Sequence, residues 1–113
     1  MLNFSHTTMK IHTSGHRYEL PNFEQKEAPG QIIQFIEKFA SPQTPAGSLE
    51  TVHDGTTNEA VLEMLIDRMN YLQGKFPCRE NALVITKLEE SLMWLNKRTS
   101  DRVKRGVEGT NNR

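Results

Sequence analysis

The chain has 113 residues, 35% of them hydrophobic, and a formal net charge of +0. That length allows one domain, or one with a small appendage, and so little apolar material leaves its core short, which favours completion by subunit association. Charge neutrality argues against a long polyanion as the main partner, the single cysteine excludes an intramolecular disulfide, and no apolar run approaches membrane-spanning length. No signal-peptide core stands near the start, so the expected address is the cytoplasm of the producing cell or its host.

Residues 1–38 form a mixed segment. Arg17-Tyr18-Glu19-Leu20 and Gln31-Ile32-Ile33-Gln34-Phe35-Ile36 read as two strands joined through the Pro29-Gly30 turn signal. Ile32, Phe35, Ile36 and Phe39 also fit a helical stripe, and pattern alone leaves both assignments open. Residues 39–55 hold Ser41, Pro42, Pro45, Gly47 and Ser48, a composition typical of linkers.

Residues 56–106 carry the strongest pattern. Thr56 followed by Glu59 has the spacing of a capping box. Val61, Leu65, Met69 and Leu72 recur at helical intervals, with Leu62 and Ile66 widening the stripe. Gly74 and Pro77 should end that helix. A second helix begins near Cys78 or Arg79, buries Ile85, Leu88, Leu92 and Leu95, and stops at Gly106 after a basic last turn. So short a connection between amphipathic helices predicts an antiparallel hairpin. Residues 107–113 are a polar tail. The fold class expected is α+β: a small N-terminal β-element, then a long two-helix hairpin, in an oligomer.

From Lys97 onward, Lys97, Arg98, Arg102, Lys104, Arg105 and Arg113 face only Asp101 and Glu108. Local positive charge on a neutral chain suits a compact anion. Arg98, Arg102 and Arg105 stand at i, i+4 and i+7, so one side of the last turns presents guanidiniums whose forked donors fit phosphate. A solvated helix end is the plainer alternative. Tyr71, just before the Gly74 break, could face outward and stack on a base, or simply belong to the core. Trp94 is expected in the core. Asn81 could cap the second helix or offer its amide to an adenine edge. Lys87, Glu89 and Glu90 look like a solvated face.

His6, His12, His16 and His53 are scattered; His12 and His16 would make an i, i+4 metal pair only in a helix, which the Thr-Ser-Gly content there opposes. No nucleophile elbow, P-loop or zinc signature is present, so the expectation is a protein without metal, cofactor or catalytic residues.

The runs Asp54-Gly55-Thr56-Thr57-Asn58-Glu59, Lys75-Phe76-Pro77-Cys78-Arg79-Glu80-Asn81-Ala82, Thr86-Lys87-Leu88-Glu89-Glu90, Arg98-Thr99 and Arg105-Gly106-Val107-Glu108-Gly109-Thr110 resemble phage-encoded nucleotide sponges. These comprise the Thoeris anti-defence sponges and the shorter anti-CBASS cyclic-nucleotide sponge, which share a helical hairpin. Tyr18 to Phe23 and Ile32 to Lys38 resemble the β-element that precedes the hairpin in the Thoeris-directed branch, which favours strands there.

The resemblance implies sequestration of immune second messengers without cleavage: cyclic ADP-ribose isomers, with cyclic di- and trinucleotides as a second candidate class. It implies a first pocket of Tyr71, Asn81, Arg98 and Arg102, with Thr99 and Arg105 as further candidates. It also implies a homo-oligomer, a hexamer being one candidate size, working in the host cytoplasm. Asn81 and Arg98 lie about five helical turns apart, so one hairpin cannot bring both to a small ligand, and the pocket is expected between protomers. The alternative reading is a nucleic-acid-associated phage accessory protein. A cyclic-nucleotide hydrolase and a scaffolding hairpin stand behind it.

Overall fold

The computed structural model describes residues 9–40 and 48–106. Five strands precede two helices: β1 (Lys10–Thr13), β2 (Arg17–Leu20), β3 (Gln31–Gln34), β4 (Glu37–Phe39), β5 (Glu50–His53), α1 (Asn58–Lys75) and α2 (Arg79–Lys104). The chain divides into two compact units, one built on β1–β4 with Thr51–Thr56, the other on the helices.

In the first unit β1, β2 and β3 form an antiparallel sheet in that order, while β4 and β5 pair separately. The segment from Gln31 that fits both a strand and a helix stripe is therefore extended. Ile32 and Ile33 are β-branched, and β3 pairs with β2 along its whole length, Tyr18 opposite Ile33 and Leu20 opposite Gln31. Tyr18 meets Phe35 edge to face with centroids 5.9 Å apart. The 39–55 stretch, linker-like in composition, contains β5, whose Thr51 and Val52 are again β-branched. The loop before β3 is organised by Asn22, whose amide donates to the carbonyls of Gln25 and Pro29 and accepts from Gln31.

One carboxylate ties the three-stranded sheet together. Glu19, on the central strand, lies 2.8 Å from His12 Nε2 of β1 through Oε1, and its Oε2 accepts the Gly30 N–H at 3.0 Å. His12 falls where the β1–β2 register shifts between Ile11 and Thr13. The Gly30 N–H, then the His12 contact, hold the Glu19 carboxyl below its ordinary value, with Lys10 adding a weaker pull and burial opposing.

In the second unit the cap of α1 is Thr57, whose hydroxyl accepts the Ala60 N–H at 3.1 Å, one residue later than the capping-box spacing suggests. Thr56 is committed elsewhere: its N–H donates to Gln34 and its carbonyl accepts from Ile36, in a bridge to the strand side. Gly74 lies inside the last turn of α1 and does not end it; the Phe76 N–H closes on Leu72, and Pro77 prevents continuation. The Gln73 side chain then clamps the turn, accepting the Cys78 N–H and donating to the Cys78 carbonyl. Cys78 caps α2, its sulfur accepting the Asn81 N–H at 3.4 Å. Gly106, with φ of 71°, follows the end of α2 as expected. The helices pack side by side, and the Thr99 hydroxyl reaches Glu59 at 3.4 Å, fixing their antiparallel sense.

Among the described residues no hydrophobic side chain is fully buried. Trp94, expected in the core, is 61% exposed.

Gly30→Ala should destabilise the first unit by on the order of 2 kcal/mol, because its Cβ would stand 2.0 Å from the Leu20 carbonyl oxygen; chemical denaturation measures this. Because its folded pKa is depressed, the stabilisation from Glu19 is complete above its ordinary value of 4.5 and vanishes as pH falls through the lower folded value. Amide exchange at Gly30 should accelerate across that acid window, and Glu19→Gln should remove the step.

Candidate functional site

The expected site residues all lie on the helical hairpin, but at its two ends. Tyr71 projects from the last turns of α1 and is 58% exposed, with the Lys75 ammonium 5.2 Å from its ring centroid. Asn81 stands in the first turn of α2, half-buried, with its backbone N–H on the capping sulfur. These residues belong to the closed tip of the hairpin, where Gln73 holds the turn.

Arg98, Thr99, Arg102 and Arg105 occupy the other end. Seventeen residues of continuous helix separate Asn81 from Arg98, about 25 Å at the rise of an α-helix. The tip residues and the arginines therefore do not meet within one hairpin, as helical spacing requires.

The basic end is not a uniform solvated surface. Arg98 and Arg105 are exposed, whereas Arg102 is 7% exposed and is the one buried residue among those described. Arg102 is thereby held in place, while Arg98, one turn earlier, stays accessible. Thr99 is half-buried against Glu59. Lys97 is tied to Asp101 at 3.3 Å, leaving the exposed arginines as the more available cations of this stretch. The C-terminal dipole of α2 helps to accommodate these positive charges.

Two features escaped the sequence reading. Lys75 adds a cation at the Tyr71 ring; its i+4 spacing was the available signal. On one side of the hairpin α1 and α2 also leave an open groove of about 610 Å³, lined in part by Glu63, Asp67, Ile66, Glu89, Leu92 and Met93. Its carboxylates repel phosphate, so this groove does not suit an anionic ligand. Of the histidines, His12 is engaged with Glu19, His16 Nδ1 contacts the Ser14 carbonyl and His53 is exposed; His6 lies outside the described residues.

The family model described as "Acb2/Tad1, hairpin domain" matches residues 31–100. A protein of Bacillus phage SBSphiJ7 named Thoeris anti-defense 1 is 50% identical over 82 residues, covering 70% of this chain and 57% of that relative. The chain thus spans a little over half the length of the relative it matches.

Because Arg102 is buried and Arg98 is not, Arg102→Ala should lower the melting temperature by roughly 5 °C while Arg98→Ala leaves it within about 1 °C. Thermal unfolding followed by circular dichroism distinguishes the two.

Proposed function

We propose that this chain, which belongs to the Acb2/Tad1 hairpin family, is a phage anti-defence sponge: it sequesters signalling nucleotides in the host cytoplasm and releases them unaltered. Cyclic ADP-ribose isomers are the first ligand class, and cyclic di- or trinucleotides the second. The observation that carries this reading is the family match, which spans both helices through residue 100 and so takes in Tyr71, Asn81, Arg98 and Thr99. Arg102 and Arg105 fall just beyond it. The name of the phage relative, Thoeris anti-defense 1, supports the anti-defence role.

The chemistry of the two hairpin ends suits such a ligand when they are combined. A cyclic ADP-ribose presents a pyrophosphate, two riboses and an adenine. The exposed Arg98 would neutralise the pyrophosphate in forked, charge-assisted hydrogen bonds, with the buried Arg102 adding positive charge beside it. Tyr71 would stack on the base and Asn81 would offer its edge a donor and an acceptor. The distance between the ends calls for a homo-oligomer in which the tip of one copy meets the arginines of another.

Shared enclosure also serves affinity. A sponge competing for a scarce messenger needs about nanomolar binding, on the order of 12 kcal/mol. Ion pairs shut away from water contribute far more than those on an exposed helix end. Sequestration requires no nucleophile or general base, only slow release.

Calorimetric titration with cyclic ADP-ribose isomers and cyclic di- and trinucleotides, followed by heat release and chromatography, tests the proposal. The expected result is tight binding of at least one isomer with intact ligand recovered, and affinity about tenfold weaker or more in Arg98→Ala. A panel in which nothing binds defeats the reading. Salt-sensitive binding of nucleic acid without base selectivity would replace it with the accessory-protein alternative.

A further inference from the structure

The open groove of about 610 Å³ along the hairpin repels anions, but its layout is that of a site for a cation. Its floor is apolar: Ile66 of α1 and Leu92 of α2 are both half-buried there. Three exposed carboxylates stand over that floor, Glu63 and Asp67 on α1 and Glu89 on α2. Among the described residues none of the three is paired with a cation. Lys87 and Lys97 of α2 are each turned to a different carboxylate, Glu90 and Asp101.

The acceptors fall in a line. The Thr99–Glu59 contact sets how the antiparallel helices are levelled. Counting along both helices from that contact brings Asn96 close to the level of Glu63, and Glu89 close to the level of Asn70. Each end of the groove thus pairs a carboxylate with an amide, and Asp67 lies between the ends, one turn from Glu63. The Asn70 Nδ2 is committed to the Ile66 carbonyl at 3.0 Å, so the group it has left to offer is an acceptor oxygen. From Glu63 to Asn70 the helix rises about 10 Å.

We propose that this groove binds a linear polyamine, spermidine being the type of ligand it fits. The nine skeletal bonds of spermidine extend to about 11 Å, which matches the line of acceptors. Its four-carbon arm spans the turn from Glu63 to Asp67, and its three-carbon arm the shorter step from Asp67 to Glu89. The two terminal ammoniums then meet Glu63 with Asn96 and Glu89 with Asn70, and the internal one meets Asp67. The methylenes lie on Ile66, Leu92 and Met93. Single exposed ion pairs are weak, but one chain that engages three together spends its freedom once. A lone divalent ion fits poorly, because carboxylates strung along a helix do not converge on one point. The proposal is independent of the sponge reading.

Calorimetric titration of the full chain with spermidine, without nucleotide and at fixed ionic strength, tests it. The expected dissociation constant is on the order of 0.1 mM, with putrescine and magnesium chloride binding more weakly. Glu63→Gln with Asp67→Gln should weaken spermidine about tenfold. Glu24→Gln with Glu27→Gln, which removes the same charge from exposed positions of the first unit, should leave affinity unchanged. Should the groove double variant prove unfolded, Asn96→Asp still decides, since an added carboxylate should tighten binding about threefold. Absence of spermidine binding overturns the proposal. So does equal weakening by the two double variants, or magnesium binding as tightly as spermidine. A helical Leu-Lys peptide that binds where spermidine does not would also overturn it, and would give the groove to a basic protein segment.

Discussion

The governing constraint is the scarcity of apolar side chains that can be taken out of water. With no fully buried hydrophobic residue among those described, the elements are held by directional bonds at a few positions. Glu19 joins the outer strands of the sheet through His12 and Gly30, and Gln73 closes the turn between the helices through both polar groups of Cys78. Such bonds contribute modestly one at a time. They specify geometry well, but leave much apolar surface, such as Phe76, Trp94 and Val103, facing outward. Surface of that kind is the raw material of association.

The same constraint shapes the candidate site. A hairpin this long and thin has no interior in which to enclose a ligand, so polar groups gather at its ends. The tip offers an aromatic ring and an amide; the other end offers arginines, one held by burial and one exposed. Neither set alone provides the ring, amide and paired cations that a nucleotide calls for. In the proposed homo-oligomer a further copy of the chain would supply the missing set, which would make assembly and binding aspects of one arrangement.

Much of the helical unit was legible in the sequence because it depends on local rules. The Ile85-Leu88-Leu92-Leu95 stripe, the stop at Gly106 and the basic last turn each act within a few residues. What escaped was set by longer-range commitments. The α1 cap moved from Thr56 to Thr57 because the Thr56 backbone pairs with Gln34 and Ile36, distant in sequence. Gly74 stayed helical because the next residues could still close on the preceding turn. β5 hid within a polar, Pro-containing stretch because a short strand shows little periodicity, and Trp94 was assigned to the core because hydrophobicity does not reveal which flank of a helix is covered. The arginine cluster could be read as a cluster, but not the burial that separates Arg102 from Arg98.

The cap of α2 bears on how this protein can be handled at the bench. Cys78 is exposed and is the chain's one thiol, an obvious handle for a fluorophore or a surface tether. Yet its sulfur accepts the Asn81 N–H, and its backbone is gripped by Gln73. A maleimide placed there would alter the start of the helix and crowd a residue of the candidate pocket, so the label would report on a site it had already disturbed. Serine keeps the capping acceptor, and moving the reporter to another position on that background would leave the tip of the hairpin as it is.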